Sequence, residues 1–254
     1  MGKAIMGGII KSEILRPEDI TGADAFQGAI DAARAELGIN VTLDNREVAR
    51  QSDVLFLSVK PQFCPPVIEE IKDVVGEDTV IVSIMAGQSI ERLTQMFGRE
   101  LKIVRCMPNT PALVGEGMTA AAPNKNVTEE EVRLVCGFLD SFGRSEVVDE
   151  SLMTAVTSVS GSSPAYVFMF IEAMADAAVR DGMPRKMAYK FAAQAVLGSA
   201  KMVLETGKHP GELKDMVTSP AGTTIEACRV LEQKGLRSAV IEAMEACSEK
   251  SKNM

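Results

Sequence analysis

The first part of the chain alternates short apolar runs with segments whose apolar residues recur at helical spacing. Apart from Ser58 and Ser83, residues 54–59 and 80–84 are apolar at successive positions, as strands are when helices cover both faces of their sheet. Between such runs, Phe26, Ile30, Ala33 and Leu37 form one helical stripe that stops at Gly38. This alternation predicts an α/β fold with a doubly wound parallel sheet. The predicted strands are 39–43, 54–59, 79–86, 101–107, 118–122 and 146–149, with 19–22 as a weaker candidate.

After about residue 151 the strand-like runs stop, and helical patterns cover 164–180, 184–206, 223–234 and 237–250. We therefore predict two domains, at 1–150 and at 151–254. The helical segments 173–178 and 192–200 are rich in small residues, which let helix axes approach closely. This composition favours a helix-on-helix interface between subunits, and a monomeric all-α domain is the alternative.

Composition excludes several classes of function. A net charge of −8 disfavours nucleic acid and anionic membranes as partners. The five cysteines are scattered and never spaced as CxxC, and His209 is the single histidine, so we predict no metal site and no Ser-His-Asp triad. The most apolar stretch, 152–179, is interrupted by a Ser-Gly-Ser-Ser-Pro segment and predicts a buried helix. We expect a cytoplasmic protein.

The first ten residues have apolar positions at helical spacing, with Gly2, Gly7 and Gly8 small enough to pack closely on a sheet. Dinucleotide-binding folds open with a strand and a glycine-rich turn, and a helix then points its N-terminus at the pyrophosphate. Residue 1 already lies at such a helix. We therefore expect an N-terminally incomplete dinucleotide-binding domain, without the first strand and the first two glycines of that motif.

The resemblance that covers essentially the whole chain is to pyrroline-5-carboxylate reductases. It rests on six segments: Met-Gly-Lys-Ala at 1–4, Val-Lys-Pro at 59–61, Met-Pro-Asn-Thr-Pro-Ala at 107–112, Ser-Gly-Ser-Ser-Pro-Ala-Tyr at 160–166, His-Pro-Gly-Glu-Leu-Lys-Asp at 209–215 and Ser-Pro-Ala-Gly-Thr-Thr at 219–224. The resemblance implies a Rossmann-like domain followed by a helical dimerisation domain, and a homodimer that assembles into a larger ring. It also implies an oxidoreductase that reduces 1-pyrroline-5-carboxylate to L-proline with NADPH or NADH, the last step of proline biosynthesis.

The resemblance also implies the site residues. The substrate carboxylate would lie on Gly222, Thr223 and Thr224 at a helix start, where backbone N–H groups favour an anion, and the Thr224 hydroxyl would reach the reacting ring nitrogen as the catalytic group. The alternative for this loop is a plain Ser/Thr helix cap. We leave His209 out of the catalytic set, because a His-Pro-Gly segment at a helix start is more often structural. The implied cofactor contacts are Met1, Gly2, Asp24, Asn45, Ser58, Val59, Lys60, Pro61, Met85 and Ala86.

Some positions depart from the family pattern or leave alternatives open. Ala221 stands where glycine is commoner, and Asp24 follows a predicted strand where many relatives have polar or basic groups for a 2′-phosphate. For Lys60 the alternative is a solvated charge at a strand end.

Two alternative functions remain for the whole protein. A β-hydroxyacid dehydrogenase would be expected to have a catalytic lysine in the helix at 166–179, which contains none. The other is a non-catalytic oligomeric protein with an impaired cofactor site.

Overall fold

The computed structural model describes residues 1–252 and divides into two compact units. The first contains Met1–Gly161 together with the chain from Ser248 onward, and the second is Ser162–Cys247. These two units are defined by the contacts within each of them. The predicted boundary at residue 150, between domains that fold separately, therefore stays a prediction.

Strands and helices alternate in the first unit, which confirms the α/β fold class. Every predicted strand overlaps an observed one, although most observed strands are shorter. The strands are β1 Thr21–Ala23, β2 Asn40–Thr42, β3 Val54–Leu57, β4 Val80–Ser83, β5 Lys102–Met107, β6 Gly117–Pro123 and β7 Gly143–Val147. The helices are α1 Gly2–Lys11, α2 Gln27–Leu37, α3 Asn45–Gln51, α4 Cys64–Ile71, α5 Ile90–Phe97, α6 Glu129–Asp140 and the short α7 Met153–Val156, which a π-helical turn at Thr157–Gly161 follows.

The described strands form two sheets. A parallel pair joins β1 to β2, and a five-stranded sheet has the order β3-β4-β5-β6-β7. The pairs β3–β4, β4–β5 and β6–β7 are parallel, but β6 runs antiparallel to β5. The sheet is therefore mainly parallel, as predicted, with one antiparallel step between β5 and β6. A short turn with a 3₁₀ helix at Thr110–Val114 joins β5 to β6, and a parallel connection would need a longer crossover.

The five-stranded sheet has a hydrophobic core on each face. One core contains Leu55, Ile81 and Ile103, and the other contains Val82 and Val104 with helix residues that include Ile9 and Leu139. All four residues of β4 are buried. This double coverage explains why the strands lack an alternating polar pattern.

Several helix ends follow the predicted signals. Gly38 ends α2 in the left-handed conformation with φ 71°, and Thr128 with Glu131 forms the predicted capping box of α6. The expected packing of Gly8 on a sheet was wrong. A Cβ at Gly8 would lie 2.9 Å from Phe142 Cβ and 3.0 Å from Ser141 O, so Gly8 lets α1 approach the turn after α6.

The second unit is helical, with α8 Ser163–Arg180, α9 Arg185–Thr206, α10 Pro210–Val217 and α11 Thr223–Gln233; α12, Leu236–Lys252, extends past its end. Ala175, Ala188 and Ala192 are buried in this unit, where α8 packs on α9 of the same chain. Of these alanines, Ala175 and Ala192 belong to the predicted small-residue segments and are buried within the chain itself, whereas the role of those segments in an interface between subunits stays a prediction. None of the helices within residues 1–252 combines the length and the apolar character needed to cross a bilayer.

Candidate functional site

A cavity of about 660 Å³ lies in the first unit, where β1, β3 and α1 all contribute to its wall. We call it the β1–β3 slot. Its lining includes Gly22 of β1, Phe56 of β3 and Met6 of α1, and most of its side chains are apolar. Because β1 and β3 belong to different sheets, the slot lies between two strand edges that are not paired with each other.

The start of α1 meets the end of β3 at one part of this slot. A Cβ built on Gly2 would lie 3.0 Å from Ser58 Oγ, so only glycine allows this close approach without a shift of the serine. No side chain caps the first turn of α1, whose N-cap is Met1. Uncapped N–H groups and the positive end of the helix dipole suit a phosphate. The residues present at this point therefore fit the pyrophosphate of a dinucleotide.

Asp24 and Asn45 follow β1 and β2, which are neighbours in one sheet. Asp24 is exposed, and its Oδ1 accepts a hydrogen bond of 2.9 Å from the Phe26 N–H. Asn45 is half-buried in the wall of the slot, and its amide Nδ2 donates to Glu70 Oε2 at 2.8 Å. This bond orients the Asn45 side chain and leaves its carbonyl oxygen able to accept a hydrogen bond from a ribose hydroxyl.

The carboxyl ends of β3 and β4 differ in the side chains that they expose. Met85 is only 1% exposed and packs in a core cluster, so its side chain is structural and its backbone alone remains for a ligand. Lys60 is exposed and precedes a 3₁₀ turn at Pro61–Phe63.

The loop after β4 is held by a carboxylate that sequence reasoning missed. Glu150 Oε1 accepts hydrogen bonds from the Ile90 N–H and from Arg105 Nη1, each at 2.9 Å. Arg105 is a cation between apolar residues of a buried strand, and this position indicates that its charge needs a partner. Nothing in the local sequence identifies Glu150 as that partner.

The Ser219–Thr224 loop lies in the second unit and leads into α11. The Gly222 N–H donates to Ser219 O at 3.0 Å, and a Cβ at Gly222 would clash with Ser219 Oγ. Gly222 is the N-cap of α11, and no side chain caps this helix. The helix-cap alternative was therefore wrong. Ser89 and Thr128, in contrast, cap α5 and α6 with their hydroxyls, whereas α11, like α1 and α9, begins without a side-chain cap.

The predicted site residues thus fall into three groups. Gly2, Asn45, Ser58 and Val59 line the β1–β3 slot. The second group belongs to the same unit but is not part of that lining; it consists of Met1, Asp24, Lys60, Pro61, Met85 and Ala86. Gly222, Thr223 and Thr224 belong to the second unit, where Thr224 is half-buried and Thr223 exposed.

The other chemically versatile side chains have structural surroundings. His209 caps α10, where its ring Nδ1 accepts from the Gly211 N–H at 3.1 Å. Burial raises the pKa of the Cys64 and Cys106 thiols, which keeps both protonated. Within residues 1–252, no three His, Cys, Asp or Glu side chains are grouped so that they would hold a metal ion.

Comparison with known proteins supplies the family. A sequence model described as pyrroline-5-carboxylate reductase dimerisation matches residues 150–254, and one described as NADP oxidoreductase, coenzyme F420-dependent, matches residues 1–87. The pyrroline-5-carboxylate reductase of Escherichia coli (strain K12) is 54% identical over 254 residues, which are 100% of this chain and 94% of the relative. The chain belongs to the pyrroline-5-carboxylate reductase family.

Solved structures of this family share the whole fold. The pyrroline-5-carboxylate reductase of Coxiella burnetii superimposes with a TM-score of 0.93 at 33% identity, over 99% of this chain and 94% of the other. The pyrroline carboxylate reductase of Plasmodium falciparum, solved with NADP bound, gives 0.89 at 34% identity, over 100% and 94%. The family assignment replaces the β-hydroxyacid dehydrogenase alternative.

Proposed function

We propose that this protein reduces 1-pyrroline-5-carboxylate to L-proline with NADPH or NADH, the final step of proline biosynthesis. The observation that carries the proposal is the Ser-Pro-Ala-Gly-Thr-Thr segment, which is folded as an uncapped helix start in a chain of this family. The substrate is a small cyclic imine with one carboxylate, and an open helix N-terminus is suited to bind such an anion.

The residues of α11 have separate tasks in this proposal. The substrate carboxylate lies at Gly222, Thr223 and Thr224 and is bound by the Thr223 and Thr224 N–H groups, since the Gly222 N–H already donates to Ser219 O. Glycine at 222 lets the Ser219 turn close, because a Cβ there would clash with Ser219 Oγ. The Thr224 hydroxyl donates to or accepts from the ring nitrogen, so it follows the change from imine to amine without being a strong acid. Binding in a fixed orientation lowers the barrier because the reacting groups no longer have to find each other.

The first unit supplies the cofactor site. The start of α1 at Gly2 and the end of β3 at Ser58 hold the pyrophosphate, and Asn45 accepts from the adenosine ribose. The remaining contacts are made by Met1 and by the backbone at Val59, Lys60, Pro61, Met85 and Ala86. The dinucleotide, when bound, supplies the hydride for the C=N bond.

We further propose a homodimer formed through the helical unit and a ring built from such dimers. The family model that matches residues 150–254 is one for dimerisation, which supports the dimer. Phe168, Met169 and Phe191 of α8 and α9 have exposed fractions of 60%, 68% and 65% in the single chain. Apolar side chains exposed to this extent are typical of a surface that a partner covers.

The test is an absorbance assay at the reduced-nicotinamide band, with pyrroline-5-carboxylate and each cofactor in turn. We expect oxidation of the cofactor that depends on substrate and yields proline. Bound cofactor without turnover would support the alternative of a non-catalytic oligomer, and an absence of both would reject the cofactor site as well. Light scattering at micromolar concentration tests the assembly: a monomeric mass contradicts the dimer, and a dimeric mass contradicts the ring.

A further inference from the structure

We propose that Asp24 makes this protein select a dinucleotide without a 2′-phosphate, so that NADH is preferred to NADPH. The inference rests on the proposed function, since it concerns the cofactor of the same site. It adds a residue that determines specificity and a direction of preference, which the family assignment leaves open.

The position of Asp24 is set by the two-stranded sheet. Asp24 directly follows β1, and the register that pairs Ala23 with Thr42 puts Asp24 beside Leu43 at the carboxyl ends of both strands. In parallel α/β sheets this edge binds the ligand, and an acidic residue at this point accepts hydrogen bonds from the ribose diol.

The Asp24 carboxylate is oriented by its own loop. Its Oδ1 accepts from the Phe26 N–H at 2.9 Å, which leaves Oδ2 to accept from a ribose hydroxyl. Phe26 and Leu43 beside it are 70% and 53% exposed. Exposed apolar side chains next to an oriented carboxylate match the chemistry of adenosine, which pairs an apolar base with a sugar diol.

The charges around this loop disfavour a phosphate. Residues 17–33 contain four acidic side chains and no lysine or arginine. Of the nearby cations, Lys3 pairs with Glu36 at 2.8 Å, Arg16 pairs with Glu18 and Asp19, and Arg46 donates to the Glu70 carbonyl oxygen at 2.9 Å. Arg34 lies in the last turn of α2, at the end of that helix away from Asp24. A 2′-phosphate has nearly two negative charges at neutral pH and is normally bound by lysine or arginine. Here it would face the Asp24 carboxylate instead.

The experiment measures binding and does not depend on turnover. Isothermal titration calorimetry gives the Kd of NAD⁺ and of NADP⁺ for the wild-type protein and for Asp24→Asn. Asparagine keeps an oxygen that accepts from the Phe26 N–H and removes only the charge. We expect wild type to bind NAD⁺ about tenfold more tightly than NADP⁺, since repulsion between exposed charges at close range is of that order. Asp24→Asn should remove most of this difference.

The matched control is Asp31→Asn, which removes the same charge from α2, where Asp31 accepts from Gln27 at 2.9 Å. It should leave the ratio of the two dissociation constants unchanged. The inference is overturned if wild type binds NADP⁺ as tightly as NAD⁺, or if Asp31→Asn changes the ratio as much as Asp24→Asn does. Asp24→Ser, a second variant with a short polar side chain, must shift the ratio in the same direction. If neither dinucleotide binds, the proposed function fails and the inference fails with it. If both bind but Asp24→Asn leaves the ratio of their dissociation constants unchanged, only the inference is overturned.

Discussion

Ala221, in the loop that precedes α11, has the backbone of a glycine. Its φ is 56°, and apart from Glu13 it is the only non-glycine residue with a positive φ among residues 1–252. For an L-residue with a Cβ this region costs about 1–2 kcal/mol, because Cβ lies close to the following carbonyl oxygen. A glycine avoids that cost but loses about 0.5–1 kcal/mol more in backbone entropy on folding. We therefore expect Ala221→Gly to stabilise the protein by about 0.5–1 kcal/mol.

The assay is urea unfolding with linear extrapolation, at one fixed protein concentration because the family dimerises. The same change at Ala227, an exposed position inside α11, is the control. Ala227→Gly should destabilise by about 1 kcal/mol, since glycine is a poor helix former. The two substitutions remove the same methyl group from the same segment and should have opposite signs. If Ala221→Gly destabilises as Ala227→Gly does, the left-handed conformation of Ala221 stores no strain.

Three more predictions follow from the site and the packing around it. Thr224→Ala should lower kcat/KM about ten- to a hundredfold with the fold and assembly intact, because it removes one hydrogen bond to the reacting nitrogen. A kcat/KM equal to that of the wild type would show that Thr224 has no part in the mechanism. Gly8→Ala should destabilise the folded protein by about 1–3 kcal/mol, because the new Cβ would lie 2.9 Å from Phe142 Cβ. Gly7→Ala is the control: its Cβ would meet Leu37 Cδ2 at 3.7 Å, an ordinary contact, and the change should stabilise the helix. A short apolar strand with a Gly-x-Gly-Asn turn, joined ahead of Met1, should enter the β1–β3 slot, pair with both edges, raise the melting temperature and tighten dinucleotide binding. A polar extension of equal length is the control, and equal melting temperatures and affinities would contradict this role of the slot.

Much of the fold could be predicted because its signals are local. The helical stripe of Ile30, Ala33 and Leu37, its stop at Gly38 and the capping box of Thr128 with Glu131 each depend on a few nearby residues, and they have the predicted form. Phe26, the first member of the predicted stripe, is instead the exposed N-cap of α2. The strands at 54–57 and 80–83 could be found because burial on both faces leaves a continuous apolar run. The family could be predicted because its signature segments are contiguous in the chain.

The missed features depend on residues far apart in sequence. The helical pattern of residues 1–10 is visible, but the partner of Gly8 is the turn at Ser141 and Phe142. Glu150 accepts hydrogen bonds from both Arg105 and the start of α5. The sequence analysis did not assign α10, a short helix that begins at Pro210. No periodicity along the chain encodes these contacts.

By itself the sequence determined the α/β class, the helical second half and the segments that mark the family. Only the tertiary structure decided the rest. It reversed β6 because a short turn leaves no room for a crossover, and it turned the Met85 side chain into the core, which leaves only its backbone for a ligand. It also showed that Ala221 is left-handed and that the start of α11 has no side-chain cap. The physical reason is that local patterns specify which face of an element is apolar, whereas the packing of distant elements decides what that face meets.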